Sequence, residues 1–563
     1  MLVALIAFAT HAPSIGHGWV NWDDTTYIHN NALVNPEFAK ATSQPVYSPW
    51  VGLWRMYTTL ELPQYYPVTF HTYWNEYQLW GLRPTGYHAV NVILHAISAG
   101  LVVLLMRRLG MSDGAAAAVG LLFAVAAVQV MSVAWVSERK NVLSTNWALL
   151  TMLGWGRYCE RGKAKWLVAT LGFFAVTLLA KSAWLGLPIV LLAQAMLIHR
   201  TDARRAAVLL LMLPMSIASG WVTSVVERGF IDVDTPALGE RLMLVPAAVL
   251  HYALRTVVPW DLTPFYPKWS IAPASPLFWI PLGLCLAGMA MWWTLRRRMS
   301  AIQHWGLALF FVSIGPVVGV LPFGNMSVTW VSDHFAYYAA IGLFAFLVAG
   351  ARDFLRSRFG GGAVIVGATL CGGVALLNLI QTQRLIPIWK DSHALWGHVI
   401  ARQPANALGY FGRGQAFLAQ GDLQRAAEDY RRGLELRPTM SEFRLSRAAA
   451  LAQMQRLDEA TAEYEKTIEL DPANRFAREQ LAAIAFHQGV QLAGERKFDE
   501  AIAAYERAIT LNGAYAPYWN NLGCVYLDQG KLETAVEKIG RAVQIDPLDA
   551  PAWNNLAIAQ DQL

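Results

Sequence analysis

The chain has 563 residues, of which 55% are hydrophobic and 15% charged, and its formal net charge is +6 at pH 7. Its cysteines, Cys159, Cys285, Cys371 and Cys524, are scattered without a CxxC spacing, which argues against a disulfide framework or a cysteine zinc site. The basic residues cluster in short runs between apolar segments, where they set topology, so no nucleic-acid partner is expected. Residues 1–390 are mainly apolar and the rest is polar, which predicts a membrane domain followed by a water-soluble domain.

Apolar segments of membrane-spanning length recur through residues 1–390 and predict a polytopic membrane domain. The basic flanks alternate consistently if about eleven segments cross the membrane. The segment 241–258 breaks this alternation, so we interpret it as re-entrant or interfacial. The first segment begins without a basic stretch, so we expect no cleavable signal peptide and an N-terminus further upstream. The predicted segments are 2–18, 87–106, 115–135, 142–158, 166–181, 183–199, 206–225, 241–258, 276–295, 303–322, 335–350 and 362–381.

The alternation also assigns the sides of the membrane. The N-terminus is inside, and everything after about residue 382 is outside. A large outer loop then covers residues 18–86 and is rich in Trp, Tyr and Pro. A plain connector would not need such length, and amphipathic aromatic residues settle at the headgroup level, so we expect short helices at the membrane surface. The other outer loops are predicted at 136–141, 227–240, 260–273 and 323–334.

The C-terminal region, residues 404–563, has an internal period. Pro438 and Pro472 are 34 positions apart, and so are Gly513 and Pro547. Small and aromatic residues recur in phase within each unit, which is the tetratricopeptide pattern of two helices per repeat. The pattern predicts about four repeats and a partial fifth, hence an α-solenoid and an all-α protein. Such arrays bind peptides on a concave surface, so an acceptor protein or peptide is the expected partner.

Two adjacent carboxylates, Asp23 and Asp24, follow the first apolar segment directly. A carboxylate at this position is suited to act as a general base that deprotonates a serine or threonine hydroxyl. The alternative is a polar helix end without a catalytic role.

Basic groups at the outer ends of apolar segments are candidates for binding a lipid phosphate, because a lysine or arginine at membrane depth is expensive without an anion. The alternative is that these residues only anchor helix ends at the membrane interface. The candidates are Glu138, Arg139, Lys140, Lys181 and Arg255, the last one helical turn after His251.

A third group, Asp333, His334 and Tyr337, opens the segment near residue 335. The Asp-His pair is interpreted either as a base with its orienting group or as a structural hydrogen bond. The predicted topology places all three groups on the same outer face of the membrane. Charged residues with purely structural roles would have no reason to share one face.

These residues resemble the transmembrane and tetratricopeptide-repeat-containing (TMTC-type) proteins of the GT-C glycosyltransferase superfamily. The resemblance covers nearly the whole chain, and the order of the motifs is what makes it specific. The motifs are Val20 to Asp24, Gly86 to His95, Val133 to Leu143, Ala180-Lys181, Phe265-Tyr266-Pro267, Asp333 to Tyr338, Trp389 to Ser392 and Leu395-Trp396.

The family's eukaryotic members look like O-mannosyltransferases that take mannose from a dolichyl phosphate carrier. The resemblance implies a GT-C-like transmembrane helix domain and inverting transfer of a sugar from a polyprenyl-phosphate donor. The acceptor would be a Ser/Thr hydroxyl of an extracytoplasmic protein docked by the repeats. The resemblance also implies a catalytic aspartate in the first outer loop, Asp23 or Asp24, with a slight preference for Asp24.

The chain departs from the family at two places. Asp333-His334-Phe335 stands where the family often has Asp-Arg-Tyr, and Ala126-Ala127 stands where it has His-Pro. With the short repeat array, these departures favour a prokaryotic relative in a bacterial inner membrane, with the repeats on the periplasmic side.

GT-C enzymes that use monophosphate donors commonly resemble metal-independent ones, so no cofactor is expected, although two adjacent aspartates could hold a divalent metal. The remaining alternative, from another functional class, is a non-catalytic membrane-anchored repeat scaffold for envelope or secretion assemblies. Eleven spans with polar clusters are more than such an anchor requires.

Overall fold

A computed structural model describes residues 1–60, 62–227, 237–269, 276–320, 326 and 328–563. The described residues contain helices and no β-strand, which confirms the predicted all-α class. The chain divides into two compact units, Met1–Val399 and Ile400–Leu563. The outer loops predicted at 227–240, 260–273 and 323–334 lie partly outside the described residues.

The first unit is built from α-helices joined by short 3-10 and π turns. Proline occupies the first turn of several of them, where its missing N–H costs nothing and its fixed φ fits the helix. The α-helices are Leu2–His11, Pro36–Ala41, Pro49–Thr58, Pro67–Trp80, Pro84–Arg108, Asp113–Val125, Val130–Ala134, Arg139–Arg161, Ala164–Ala180, Leu187–Ala193, Ala203–Ala206, Leu213–Glu227, Leu238–Val257, Pro276–Leu295, Ala301–Ile314, Ala336–Phe359, Ala363–Leu385 and Ser392–Arg402.

Helices occupy every predicted apolar segment, but fewer than eleven are long and apolar enough to cross a membrane. Five described stretches pass this test, or six if the bent pair Asp113–Val125 and Ala127–Ala134 counts as one span. One of the five, Asp333–Trp389, contains two long helices in succession. The difference arises because three predicted spans are shorter helices, Leu2–Gly16, Ala164–Ala180 and Ala301–Val317, and Arg139–Arg161 is too polar to be counted.

One predicted span is bent, and the segment with two predicted alternatives is helical. The segment predicted as a span at 115–135 bends by 52° at Ala126, whose backbone is extended. The segment predicted as re-entrant or interfacial is one helix, Leu238–Val257, with Pro246 inside it. Its buried residues, Leu244, Ala248, Tyr252 and Thr256, recur every fourth position, so one face of the helix packs against the rest of the first unit.

The second unit consists of antiparallel helix pairs, as the repeat pattern predicts. Glycines allow the close crossing within pairs: a Cβ at Gly414 or Gly489 would lie within 3 Å of the ring of Tyr430 or Tyr505. The helices are Ala407–Ala419, Leu423–Leu436, Ser441–Gln453, Leu457–Leu470, Arg475–Gly494, Phe498–Leu511, Ala516–Asp528, Leu532–Ile545 and Ala550–Gln562.

Aromatic packing fixes the first outer loop against the rest of the first unit. The ring of Trp22 stacks on those of Trp135 and Phe265, each at 4.5 Å between centroids. Asn21 accepts a hydrogen bond from the indole of Trp396 at 2.7 Å. The backbone next to Asp23 is therefore held by three separate parts of the first unit.

Candidate functional site

The centre of the site is the short stretch Val136–Asn141, where a 3-10 turn leads into the helix Arg139–Arg161. Glu138, Arg139, Lys140 and Asn141 are all buried. Buried charged groups are stable only when they are paired, so their partners define what the site can do.

Asp24 ties the first outer loop to this stretch. Its Oδ1 accepts hydrogen bonds from both the backbone N–H, at 3.0 Å, and the hydroxyl of Ser137. Its Oδ2 accepts the backbone N–H of Val20 at 3.2 Å. Burial raises the pKa of the Asp24 carboxyl to about 6, although the hydrogen bonds from Ser137 and Val20 oppose the shift. Both oxygens are thus occupied by the protein, as expected of a positioning residue.

Asp23 has different surroundings, although it is adjacent in sequence. Its side chain is 31% exposed, and its Oδ2 lies 3.4 Å from the ammonium of Lys140. Within the described part of the chain, Lys140 is the only hydrogen-bond donor to this carboxylate. Burial raises the pKa of Asp23, and the charge of Lys140 opposes that rise. Asp23 is therefore an accessible carboxylate with unused acceptor capacity.

Glu138 lies between two buried lysines. Its Oε1 is 2.9 Å from Lys140 and its Oε2 is 3.6 Å from Lys181. Asn141 completes the cluster, because it donates to Glu138 at 2.5 Å and accepts from Lys181 at 2.6 Å. Glu138 was predicted beside a donor phosphate, but a carboxylate repels phosphate, and the structure makes it the shared counterion of the two lysines.

Arg139 belongs to a different cluster, which we call closed because protein partners occupy every nitrogen of its guanidinium. Its guanidinium forms an ion pair with Glu76 and donates to Asn91 Oδ1 and to the carbonyl of Tyr87, each at 2.8 Å. It also lies 4.7 Å from the ring centroid of Tyr73, and it has no exposed surface. All three guanidinium nitrogens have protein partners, so the structure leaves Arg139 little capacity to bind a phosphate.

Arg255 and Asp333 belong to a second polar group. Asp333 accepts a hydrogen bond from the hydroxyl of Tyr266 at 2.8 Å and lies 3.9 Å from His251 Nε2. The guanidinium of Arg255 lies 4.4 Å from the ring centroid of Trp260 and 3.9 Å from the carboxylate of Asp261. Its Nη1 is buried and has no hydrogen-bond partner among the described residues.

His334 and Tyr337 take separate partners. The Nδ1 of His334 lies 2.8 Å from the hydroxyl of Ser332, so the predicted Asp-His pair does not form a mutual hydrogen bond. Tyr337 is fully buried and its hydroxyl lies 2.8 Å from Nδ1 of His95. Tyr337, predicted as a supporting site residue, therefore lies in the helix core. His334 is nearer to the Lys140 cluster, because its backbone carbonyl accepts a hydrogen bond from Asn141 at 3.1 Å.

The basic residues predicted to bind phosphate differ in how many of their N–H groups already have an acceptor in the protein. Lys140 has three acceptors for its three N–H bonds, namely Glu138, Tyr27 at 3.2 Å and Asp23. Among the described residues, Lys181 has two oxygen acceptors, Asn141 and the more distant Glu138, and its ammonium also lies 5.8 Å from the ring centroid of Phe335, so one N–H has no oxygen acceptor. Arg255 has its unpartnered Nη1. Lys181 and Arg255 are therefore the basic residues with capacity for an added anion.

Three polar residues near these clusters were missed by the sequence analysis: Gln64, Glu76 and Glu227. Glu76 and Gln64 are single polar positions in an aromatic loop, and no motif marks them. Glu227 ends the helix Leu213–Glu227 and accepts a hydrogen bond from Gln64 at 3.4 Å. A carboxylate at the end of an apolar helix is the signal that could have found it. No group of three or more His, Cys, Asp and Glu side chains in the described residues is placed to hold a metal ion.

Comparisons with known proteins support two parts of this picture. The tetratricopeptide repeat family model matches residues 389–441, 411–475 and 488–550. A protein O-mannosyl-transferase of Caenorhabditis elegans is 23% identical over 436 residues, which is 74% of this chain. The chain spans 60% of the length of that relative.

Among solved structures, MamA is 24% identical with a TM-score of 0.22, over 28% of this chain and 81% of that one. YrrB, described as a tetratricopeptide-repeat protein with an unusual peptide-binding site, is 19% identical with a TM-score of 0.19, over 28% and 96%. PilF of Pseudomonas aeruginosa is 21% identical with a TM-score of 0.20, over 29% and 70%. The chain thus carries tetratricopeptide repeats and several apolar helices, and it is similar over about three quarters of its length to a curated O-mannosyl-transferase.

Proposed function

We propose that this protein is a membrane glycosyltransferase that transfers a sugar from a polyprenyl-phosphate donor to a serine or threonine hydroxyl of an extracytoplasmic protein. The observation that carries the proposal is Asp23, a partly exposed carboxylate held 3.4 Å from a buried lysine. Buried lysines at the ends of apolar helices are costly and mark functional sites in membrane proteins. A passive anchor has no need of them.

In the proposed reaction the acceptor hydroxyl attacks the anomeric carbon of the donor sugar, and Asp23 takes the hydroxyl proton. The new bond joins the acceptor oxygen to the anomeric carbon. The bond between that carbon and the phosphate oxygen breaks on the opposite face, so the configuration inverts. Polyprenyl phosphate leaves with the bonding electron pair.

The catalytic role falls to Asp23 because its carboxylate is partly exposed, whereas Asp24 is buried and already accepts three hydrogen bonds from the protein. Both oxygens of Asp24 accept hydrogen bonds from Ser137 or Val20. Asp23 is therefore proposed as the base in place of Asp24, which the resemblance slightly favoured. Asp24 is proposed to position the loop that presents Asp23.

The donor phosphate is proposed to bind Lys181 and Arg255. Each has an N–H without a close acceptor among the residues that the structure describes, and charge develops on the phosphate as it leaves. Charge-assisted hydrogen bonds in a site that excludes water stabilise such charge strongly. Glu138 keeps Lys181 charged and in place.

The repeats are proposed to bind the acceptor protein, since such arrays present a concave surface to peptides. The printed name of the curated relative supports a mannose-type transfer for that protein, and the donor sugar here is part of the proposal.

The test is transfer of a radiolabelled sugar from a polyprenyl-phosphate donor to a Ser/Thr-containing protein, with the full chain in liposomes. Asp23→Asn keeps the shape of the side chain and removes its basicity, so we expect turnover to fall by about 10²–10⁴-fold. The matched control is Asp113→Asn, an exposed aspartate paired with Arg107 at the start of another helix. It should keep full activity. Turnover of folded Asp23→Asn equal to that of the control would contradict the assignment.

A further inference from the structure

One polar feature next to Asp23 has no role in the proposed transfer. A line of hydrogen-bonding groups runs from Asp23 through Lys140 to the hydroxyl of Tyr27, which lies 3.2 Å from that lysine. Tyr27 donates to Gln64 Oε1, and Gln64 donates to Glu227 at 3.4 Å. The first loop and the end of the helix Leu213–Glu227 therefore meet beside the proposed base.

Glu227 is only partly satisfied by the protein. Its carboxylate receives a single hydrogen bond from the described residues, and Lys181 and Lys140 act on it only as charges, without a close ion pair. An ionised carboxylate has about four acceptor sites, so several remain for a ligand.

A second, independent observation points to a ligand at the same place. The hydroxyl of Tyr338 is fully buried and has no hydrogen-bond partner among the described residues. It lies within electrostatic range of Glu138 and Tyr66, and Tyr66 in turn interacts with Glu227 and the hydroxyl of Ser182. A buried hydroxyl without a partner is costly and is satisfied when a ligand hydroxyl reaches it.

The charge of the cluster limits what the ligand can be. With all groups ionised, two ammonium groups face three carboxylates, which is a net charge of −1 before any ligand binds. The lysines are Lys140 and Lys181, and the carboxylates are Asp23, Glu138 and Glu227. The spare N–H groups of Lys181 and Arg255 are already assigned to the donor phosphate. Among the described residues, no further cation of this cluster remains for a second anion on the sugar.

We propose that Gln64 and Glu227 bind hydroxyl groups of the donor sugar and that the charge of Glu227 selects neutral sugars against acidic ones such as uronates. This inference rests on the proposed function. Sugar hydroxyls both donate and accept hydrogen bonds, which suits a carboxylate, an amide and the Tyr338 hydroxyl together. A sugar carboxylate at this position would meet Glu227 in a partly buried site, where like charges repel strongly.

The experiment compares a polyprenyl-phosphate donor carrying a neutral hexose with one carrying the corresponding uronic acid. Wild-type protein should transfer the hexose with a kcat/KM higher by about tenfold to a hundredfold. Glu227→Gln should reduce that ratio by about tenfold, chiefly by improving the acidic donor. Glu227→Asp keeps the charge and should keep the discrimination. Glu160→Gln, a carboxylate paired with Arg157 on another helix, is the matched control and should leave the ratio unchanged.

The outcomes separate this inference from the function on which it rests. If wild-type protein transfers neither sugar, the proposed function fails. If it transfers both sugars equally well, or if folded Glu227→Gln keeps the wild-type ratio, the sugar subsite is wrong and the transferase stands. The wild-type ratio alone decides the matter if Glu227→Gln does not fold.

Discussion

Two ion-pair clusters extend from the same short stretch of chain in different directions. Arg139 and Glu76 form one, which is buried and has protein partners at every guanidinium nitrogen. Lys140, Glu138 and Lys181 form the other, which reaches the partly exposed Asp23. In the sequence, Glu138, Arg139 and Lys140 are adjacent charged residues, and nothing there distinguishes their roles. The structure separates them by what each leaves unsatisfied.

Both clusters contain buried charged groups, so charge and burial do not distinguish them. They differ in the number of hydrogen-bond donors and acceptors that remain without a protein partner. A closed cluster contributes to the positioning of helices and gains nothing from a ligand. An open cluster retains acceptors and donors that the protein itself does not satisfy. Residues 18–86 contribute to both clusters, since Glu76 belongs to the closed one and Asp23 to the open one.

The closed cluster should be the one whose loss harms folding most. Arg139→Met leaves Glu76 buried without its partner, and breaking a buried pair in this way costs about 3–5 kcal/mol. Thermal unfolding of the purified protein measures the effect. Arg107→Met, which breaks an exposed pair with Asp113, is the control and should cost at most about 1 kcal/mol. A small effect of Arg139→Met would mean that the two clusters do not differ as described.

The burial of Asp24 makes a pH-dependent contribution to stability. Burial raises its pKa from the model-compound value of 3.8 to about 6, so the folded protein binds a proton there that the unfolded chain does not. Stability should therefore rise as pH falls from about 7 to about 4, by up to 2–3 kcal/mol from this group. Asp24→Asn cannot titrate and should lose this part of the gradient. Parallel stability curves for wild type and variant between these pH values would refute the burial argument.

The open cluster should affect donor binding before it affects the fold. Lys181→Met removes the spare N–H but leaves Glu138 paired with Lys140, so the protein should fold. We expect the KM for the donor to rise about tenfold, or about 1.4 kcal/mol, with little change for the acceptor. Lys165→Met, next to Trp166 on the same helix, is the control. An equal change in both substrates' KM values would assign Lys181 to structure.

The sequence predicted the repeats well because their signals are local. Pro438 and Pro472 follow the helices Leu423–Leu436 and Leu457–Leu470, as the period requires. The bend at Ala126 was missed because no proline or glycine is adjacent to it and the stretch is mostly apolar, with Gln129 and Ser132 as its polar residues. Helix ends in the membrane region were misplaced in both directions, since hydropathy does not show where a helix begins or ends. The helix Ala336–Phe359 extends beyond the predicted 335–350, whereas the predicted 2–18 is longer than the observed Leu2–Gly16.

The candidate site was predicted in part. Asp23, Glu138, Lys140 and Lys181 were named, and the structure brings them together. The separate roles of these residues could not be predicted, because they depend on contacts between residues that are distant in sequence, such as Asp24 and Ser137. Gln64 and Glu227 carry no motif, so only their meeting in space identifies them.

The most direct test of this account is a structure of the full chain in lipid nanodiscs with a non-transferable phosphonate analogue of a polyprenyl-phosphate sugar. The account predicts the phosphonate oxygens within hydrogen-bond distance of Lys181 or Arg255 and the anomeric carbon facing Asp23. Density for the phosphonate against Arg139, or on the face of the first unit away from Asp23, would contradict it.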